Sequence, residues 1–141
     1  MKRKASASWR GGLKDGKGNI STESGVLKET QYSFVTRFED GIGTNPEELI
    51  AAAHAGCFAM AFSAELGKAG FTPESIHATA TVSLDKTDAG WTVTESHLDL
   101  TAKIPGIDEA RFIAIADGAK AGCPISRLLN AKVTLYAKLA G

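Results

Sequence analysis

The sequence has little cysteine, no net charge and no long uninterrupted apolar run. Its two cysteines, Cys57 and Cys123, do not form a Cys-x-x-Cys pair, and no two histidines stand at ligand spacing. Two cysteines in a reducing compartment are normally free or redox-active thiols rather than a structural staple, and a zinc site built from Cys57, Cys123 and His54 has poor support. Lysine plus arginine and aspartate plus glutamate number 16 each, so no strong field draws nucleic acid or an anionic membrane. The opening Met1-Lys2-Arg3-Lys4-Ala5-Ser6 is basic, but no apolar segment follows it as a signal peptide requires. The longest apolar stretch, Leu49 to Phe62, is interrupted by His54 and reads as a buried core helix too short to span a bilayer. Linkers, low-complexity blocks and internal repeats are missing as well. A chain of 141 residues with this profile is expected to form one domain over 1–141, soluble and cytoplasmic, with no cofactor.

What is present is a mixed pattern of strands and helices. Turn chemistry at Gly11-Gly12 and Asp15-Gly16-Lys17-Gly18 separates strand-like pieces at about 4–10 and 19–23. Gln31 to Phe38 alternates, with Tyr32, Phe34 and Phe38 on one side and Arg37 on the other, and predicts a strand. Thr44-Asn45-Pro46-Glu47-Glu48 reads as a helix start: a capping side chain, a proline in the first turn, and acids at the positive helix end. That helix should run to about Lys68 and stop at Gly70.

Ser75 to Asp85 alternates cleanly, and its partner from Trp91 to Lys103 shifts phase near Glu95, which predicts a bulge. Asp108 caps a second helix over 109–121 that Gly122 ends. Another helical turn or two fits Ile125 to Asn130. Val133, Leu135, Ala137 and Leu139 mark a last strand. Strands, helix, strands, helix, strand argues α+β. The first helix is apolar on all sides, more than so short a chain can cover, so a homodimer is expected.

Cys57 lies inside that apolar helix and Cys123 at the break Ala121-Gly122-Cys123-Pro124-Ile125-Ser126. The two settings suit a peroxidatic and a resolving thiol. They also suit inert core thiols, because free cysteine is often simply buried. His54 shares the helix face of Cys57 and reads as a packing histidine with a hydrogen-bonded ring.

The segments Thr44-Asn45-Pro46-Glu47-Glu48-Leu49-Ile50-Ala51-Ala52-Ala53-His54-Ala55-Gly56-Cys57-Phe58 and Ala121-Gly122-Cys123-Pro124-Ile125-Ser126 together resemble the OsmC/Ohr family of thiol-dependent organic hydroperoxide reductases, and its OsmC branch in particular. Gly16-Lys17-Gly18, Ser21 to Leu27, Thr36-Arg37-Phe38 and Val82 to Lys86 add to the likeness. The resemblance implies an OsmC-like fold: an intertwined homodimer with antiparallel sheets wrapped around two long central helices and active sites at the subunit boundary. It implies that Cys57 is the peroxidatic thiol and Cys123 the resolving one, with Arg37 and Glu47 completing the catalytic set. It also implies organic hydroperoxides as substrates and a lipoyl-type dithiol as reductant.

The residue chemistry agrees with such roles. A thiol in an apolar helix is hard to ionise, and a guanidinium held by a carboxylate offsets that. Glu47 and Cys57 stand ten positions apart. On one helix that is roughly 15 Å of rise, so either the helix begins later and the loop folds back, or, as favoured here, Glu47 serves a site on the other subunit. Phe58, Phe62, Met60, Trp9 and Ile125 are candidate walls of an apolar substrate funnel. Three rival functions remain: a zinc protein, a non-catalytic dimeric module binding a hydrophobic ligand, and a general thiol–disulfide exchanger.

Overall fold

A computed structural model describes residues 1–141. By contacts the chain divides into two compact units, Met1–Leu49 and Ile50–Gly141.

The first unit holds a three-stranded antiparallel sheet of β1 (Ala5–Arg10), β2 (Lys17–Thr22) and β3 (Thr30–Tyr32). Gly18 in β2 lies between Trp9 and Tyr32, whose rings are 5.4 Å apart; a Cβ at residue 18 would stand 2.5–2.6 Å from both rings. The expected strand over 31–38 does not form. After Tyr32 the chain turns into a short helix, α1 (Phe34–Phe38). A capping box explains the change: the Ser33 side chain accepts from the Thr36 N–H, and the Thr36 hydroxyl accepts from the Ser33 N–H at 2.8 Å. Two backbone donors thereby find partners that a strand continuation would not give them. The Phe34 and Phe38 rings then meet one turn apart, with centroids 4.8 Å apart and planes tilted by 42°.

The long helix α2 (Pro46–Lys68) starts as the sequence predicts. Asn45 Oδ1 accepts from the Glu48 N–H at 2.8 Å, and Glu47 and Glu48 occupy the first turn. Gly70, at φ 87°, takes the left-handed conformation beyond the end. At 23 residues the helix is long and apolar enough to cross a membrane by length and composition alone, contrary to the shorter span expected from Leu49 to Phe62.

The second unit pairs β4 (Ser75–Thr87) antiparallel with β5 (Gly90–Lys103). The register slips where Ser83 pairs with Glu95 and Leu84 with Val93, leaving Thr94 as the extra residue of the expected bulge. β6 (Lys132–Leu139) joins the far side of β5 in parallel. This sheet is therefore mixed rather than purely antiparallel. A parallel neighbour needs a crossover, and α3 (Glu109–Gly122) and α4 (Pro124–Leu128) provide it. Asp108 caps α3 by accepting from the Arg111 N–H at 2.8 Å; Gly122 is its last residue, and Cys123 is the cap.

The core is legible in the sequence periodicity. His54, Phe58, Phe62 and Leu66 repeat every four residues along α2 and are fully buried. Phe112, Ala116, Ala119 and Cys123 face them from α3, and Leu98, Leu100 and Ala102 from β5. Phe62 stacks on Phe58 and meets Phe112 edge-on at 5.8 Å. The opposite side of α2 is bare: Ala53, Gly56, Met60, Ser63 and Gly67 are exposed, Met60 by 77%.

Candidate active site

α2 carries Cys57 at the edge of the buried stripe, next to Phe58. Cys123 sits between α3 and α4. Its N–H still closes α3 onto Ala119 O at 2.9 Å, while Pro124, lacking an N–H, opens α4. The residue before a proline is driven out of the helical region, and Cys123 accordingly has ψ 127°. That turn aims its side chain at α2. The two sulfurs share a hydrogen bond at 2.8 Å; Cys123 is fully buried, Cys57 is half-buried, and both are free thiols. A disulfide needs about 2.05 Å, so closing the bond asks for a movement of under about 1 Å.

The surroundings treat the two thiols differently. Burial pushes Cys57 up, and the contact with Cys123 adds to this; only the Ile125 N–H pulls the other way. Burial also pushes Cys123 up, but the contact with Cys57, the N–H groups of Ser126 and Ile125, and the Ser126 hydroxyl together bring it below its ordinary value. None of these makes a cap hydrogen bond from the Cys123 side chain to α4. They are near enough to favour its thiolate. The surroundings therefore favour ionisation at Cys123 over Cys57.

His54 lies beneath this pair. Its ring is fully buried and hydrogen-bonded on both sides, Nδ1 with Ser96 Oγ at 2.6 Å and Nε2 with Ser126 Oγ at 2.7 Å. The expectation of a packed, hydrogen-bonded histidine is met, and burial lowers its pKa so that the ring is neutral. Ser96 and Ser126 were not singled out from sequence. Ser126 offered a signal, three residues past Cys123, where a serine reaches back over a helix start. Ser96 offered none, because its role depends on the register of β5 against α2.

In the first unit, Arg37 Nε donates to Glu47 Oε1 at 2.7 Å. Glu47 is buried while Arg37 is 39% exposed. The expected partnership is present, but Arg37 comes from a helix and not a strand. α1 is tied to the start of α2 by Asn45 Nδ2 donating to Thr36 O at 2.9 Å, which sets the pair in register. A cavity of 280 Å³ adjoins the guanidinium, walled by Trp9, Leu13, Tyr32, Phe34 and Phe38. Of the five candidate funnel walls only Trp9 lines this cavity. Phe58 and Phe62 are core residues, and Met60 is on the bare face of α2. No three His, Cys, Asp or Glu side chains come together as a metal site.

Comparison with known proteins places this geometry in a lineage. Residues 39–138 match the family model described as OsmC-like protein. The chain is 57% identical over 133 residues to Peroxiredoxin OsmC of Escherichia coli (strain K12), covering 94% of this chain and 93% of that one. It is 29% identical over 101 residues to the organic hydroperoxide resistance protein of Xanthomonas axonopodis pv. citri (strain 306), covering 71% and 69%. Among solved structures, the organic hydroperoxide resistance protein OsmC of Legionella pneumophila superposes with a TM-score of 0.68 at 25% identity, over 98% of this chain and 97% of that one. With its α+β architecture, its paired thiols and its arginine–glutamate bridge, the chain belongs to the OsmC family.

Proposed function

We propose that the protein is a cysteine-based peroxidase that reduces organic hydroperoxides to alcohols. The observation that carries this reading is the 2.8 Å approach of the Cys57 and Cys123 sulfurs. The relatives named as a peroxiredoxin and as organic hydroperoxide resistance proteins support the reaction class.

In the first step the Cys57 thiolate attacks the O–O bond of the hydroperoxide. The bond breaks, the alkoxide takes a proton and leaves as an alcohol, and Cys57 becomes a sulfenic acid. Cys123 then displaces hydroxide from that sulfur, forming a disulfide and, with a proton, water. A dithiol of the lipoyl type takes up the oxidising equivalents, becoming a disulfide while the two thiols return.

Nothing within the second unit except the Ile125 N–H favours charge on Cys57, so the first step calls for a cation. Arg37 is the fitting group. It keeps its charge when desolvated, Glu47 fixes its fork, and an apolar cavity beside it suits the organic part of a peroxide. Glu47 and Cys57 lie on one continuous helix. Its rise of about 15 Å over ten residues supports assigning the Arg37–Glu47 pair of one chain to the Cys57 of a second. The bare face of α2 supports the same homodimer, because a second copy covers Met60 and its small neighbours. The reaction belongs in the cytoplasm, where dithiols are kept reduced.

The test is to add cumene hydroperoxide to the reduced protein and map its cysteines by mass spectrometry. A Cys57–Cys123 bridge and one equivalent of cumyl alcohol are expected. Unchanged thiols after peroxide has been consumed would defeat the reading.

A further inference from the structure

The short helix α4 has few ties to the rest of the chain. At five residues it cannot hold a helical form unaided. None of its residues is buried, Leu128 is 73% exposed, and only Ile125 packs against the core. No side chain caps its start. Its one side-chain hydrogen bond joins Ser126 Oγ to His54 Nε2 at 2.7 Å. His54 is fully buried, and its Nδ1 meets Oγ of Ser96, also fully buried, at 2.6 Å. A neutral imidazole has one donor and one acceptor nitrogen, and a serine hydroxyl serves as either, so both contacts are satisfied in either tautomer. Breaking one leaves a polar atom unpaired out of water, which makes the contact costly to lose.

We propose that His54 is a positioning residue: with Ser96 and Ser126 it pins α4 to α2 and β5, and so holds Cys123 within bonding reach of Cys57. The inference rests on the peroxidase reading for its use, and on the side-chain geometry for its existence. Cys57 lies three residues after His54 on α2, and Cys123 lies three residues before Ser126, at the start of α4. The His54–Ser126 and Cys57–Cys123 contacts therefore join the same two segments as neighbouring rungs, at 2.7 and 2.8 Å. Fixing the first rung sets the second. In the resolving step the S–O bond of the Cys57 sulfenic acid breaks and the S–S bond forms. The Cys57 sulfur is reduced, the Cys123 sulfur is oxidised, and the Cys123 thiol proton leaves with hydroxide as water. Sulfurs already held together need not be gathered at that moment, which favours closure. The closed bridge holds the two segments by itself, so the pin acts by ordering the reduced pair.

The test needs no hydroperoxide. Reduced protein is equilibrated with mixtures of oxidised and reduced dithiothreitol, and the bridged fraction is read by mass spectrometry. As the Cys57–Cys123 bond forms, two electrons and two protons pass to the dithiothreitol disulfide, which opens to the dithiol. Ser126→Ala is expected to lower the equilibrium constant for bridge formation about tenfold, and Ser126→Thr, which keeps a hydroxyl, to return it near the parent value. Ile104→Val, which trims the core beyond the end of β5, should lower Tm and leave that constant unmoved. Proton spectra of the unsubstituted protein should show a slowly exchanging His54 ring N–H in both the reduced and the bridged state, whether or not a variant folds. An unmoved constant in a folded Ser126→Ala protein, an equal fall in Ile104→Val, or loss of the ring proton on bridging would overturn the pin. A lowered constant in Ser126→Ala, with a parent that consumes no hydroperoxide, would uphold the pin and sink the peroxidase reading instead.

Discussion

Cys57 and Cys123 stand 66 positions apart in the chain, and their sulfurs share a hydrogen bond at 2.8 Å. The closeness is set by α2 and the α3–α4 break, two features with separate local causes. The inequality of the two thiols has a third cause. Polar groups gather on Cys123, while Cys57 faces apolar helix. The proposed resolving role of Cys123 fits this inequality, since a thiol of lowered pKa gives its thiolate more readily. Within the second unit only the Ile125 N–H favours charge on Cys57.

Cys57→Ser is expected to abolish hydroperoxide consumption. Cys123→Ser should still form one sulfenic acid per chain, then turn over poorly and accumulate sulfinic acid at position 57. Peroxide assays with mass mapping of both cysteines check this. Wild-type turnover in the Cys57→Ser protein would remove the mechanism.

Arg37→Lys is expected to lower kcat/KM for an organic hydroperoxide by about 10²-fold. Arg37 uses Nε to meet Glu47, and lysine has no matching fork. Glu47→Ala should weaken activity in the same direction. Mixing Cys57→Ser chains with Glu47→Ala chains should restore part of the activity, since each mixed dimer rebuilds one complete site. No recovery on mixing would assign the pair to its own chain.

Light scattering should give about twice the 14.8 kDa chain mass. Met60→Glu, which places a charge in the middle of the bare face of α2, should lower that mass and the activity together. A monomer with full activity would rule out shared sites.

Stability should fall as pH drops below 6.5. His54 is held neutral by burial, so its folded pKa lies below the ordinary 6.5. Unfolding then takes up a proton at acid pH, and the contribution is present above 6.5 and lost on acidification toward the folded pKa. Tm measured against pH should decline less steeply for His54→Gln than for the parent. Parallel curves would show that His54 does not carry the effect.

Much of the fold was legible because its signals are local. The start of α2 at Asn45-Pro46, its stop at Gly70, the Asp108 cap and the bulge opposite Ser83 all depend on residues within a few positions of one another. The segment 31–38 misled for a related reason. Its alternation is real, but Ser33 and Thr36 close a capping box that outbids a strand. A serine three residues before a threonine was a weaker signal than the alternation of Tyr32, Phe34 and Phe38 against Arg37. Arg37 and Glu47 were identified through motif likeness, and the placement of Arg37 on a helix was not. The parallel seat of β6 could not be read either, because strand direction is decided by how a crossover packs.

Outside 31–38, the sequence by itself determined where most helices and strands begin and end, which faces are apolar, and which two thiols are available. Those are properties of neighbours along the chain, where capping, proline geometry and side-chain period act directly. Only the tertiary structure decided that residues 57 and 123 touch, and that His54 joins serines from two distant elements. It also decided that Phe58 and Phe62 are spent on the core and line no funnel. Such pairings depend on helix packing against a sheet of fixed register. Burial then gives each contact its chemistry, because a charge or proton out of water must be matched by the groups that surround it.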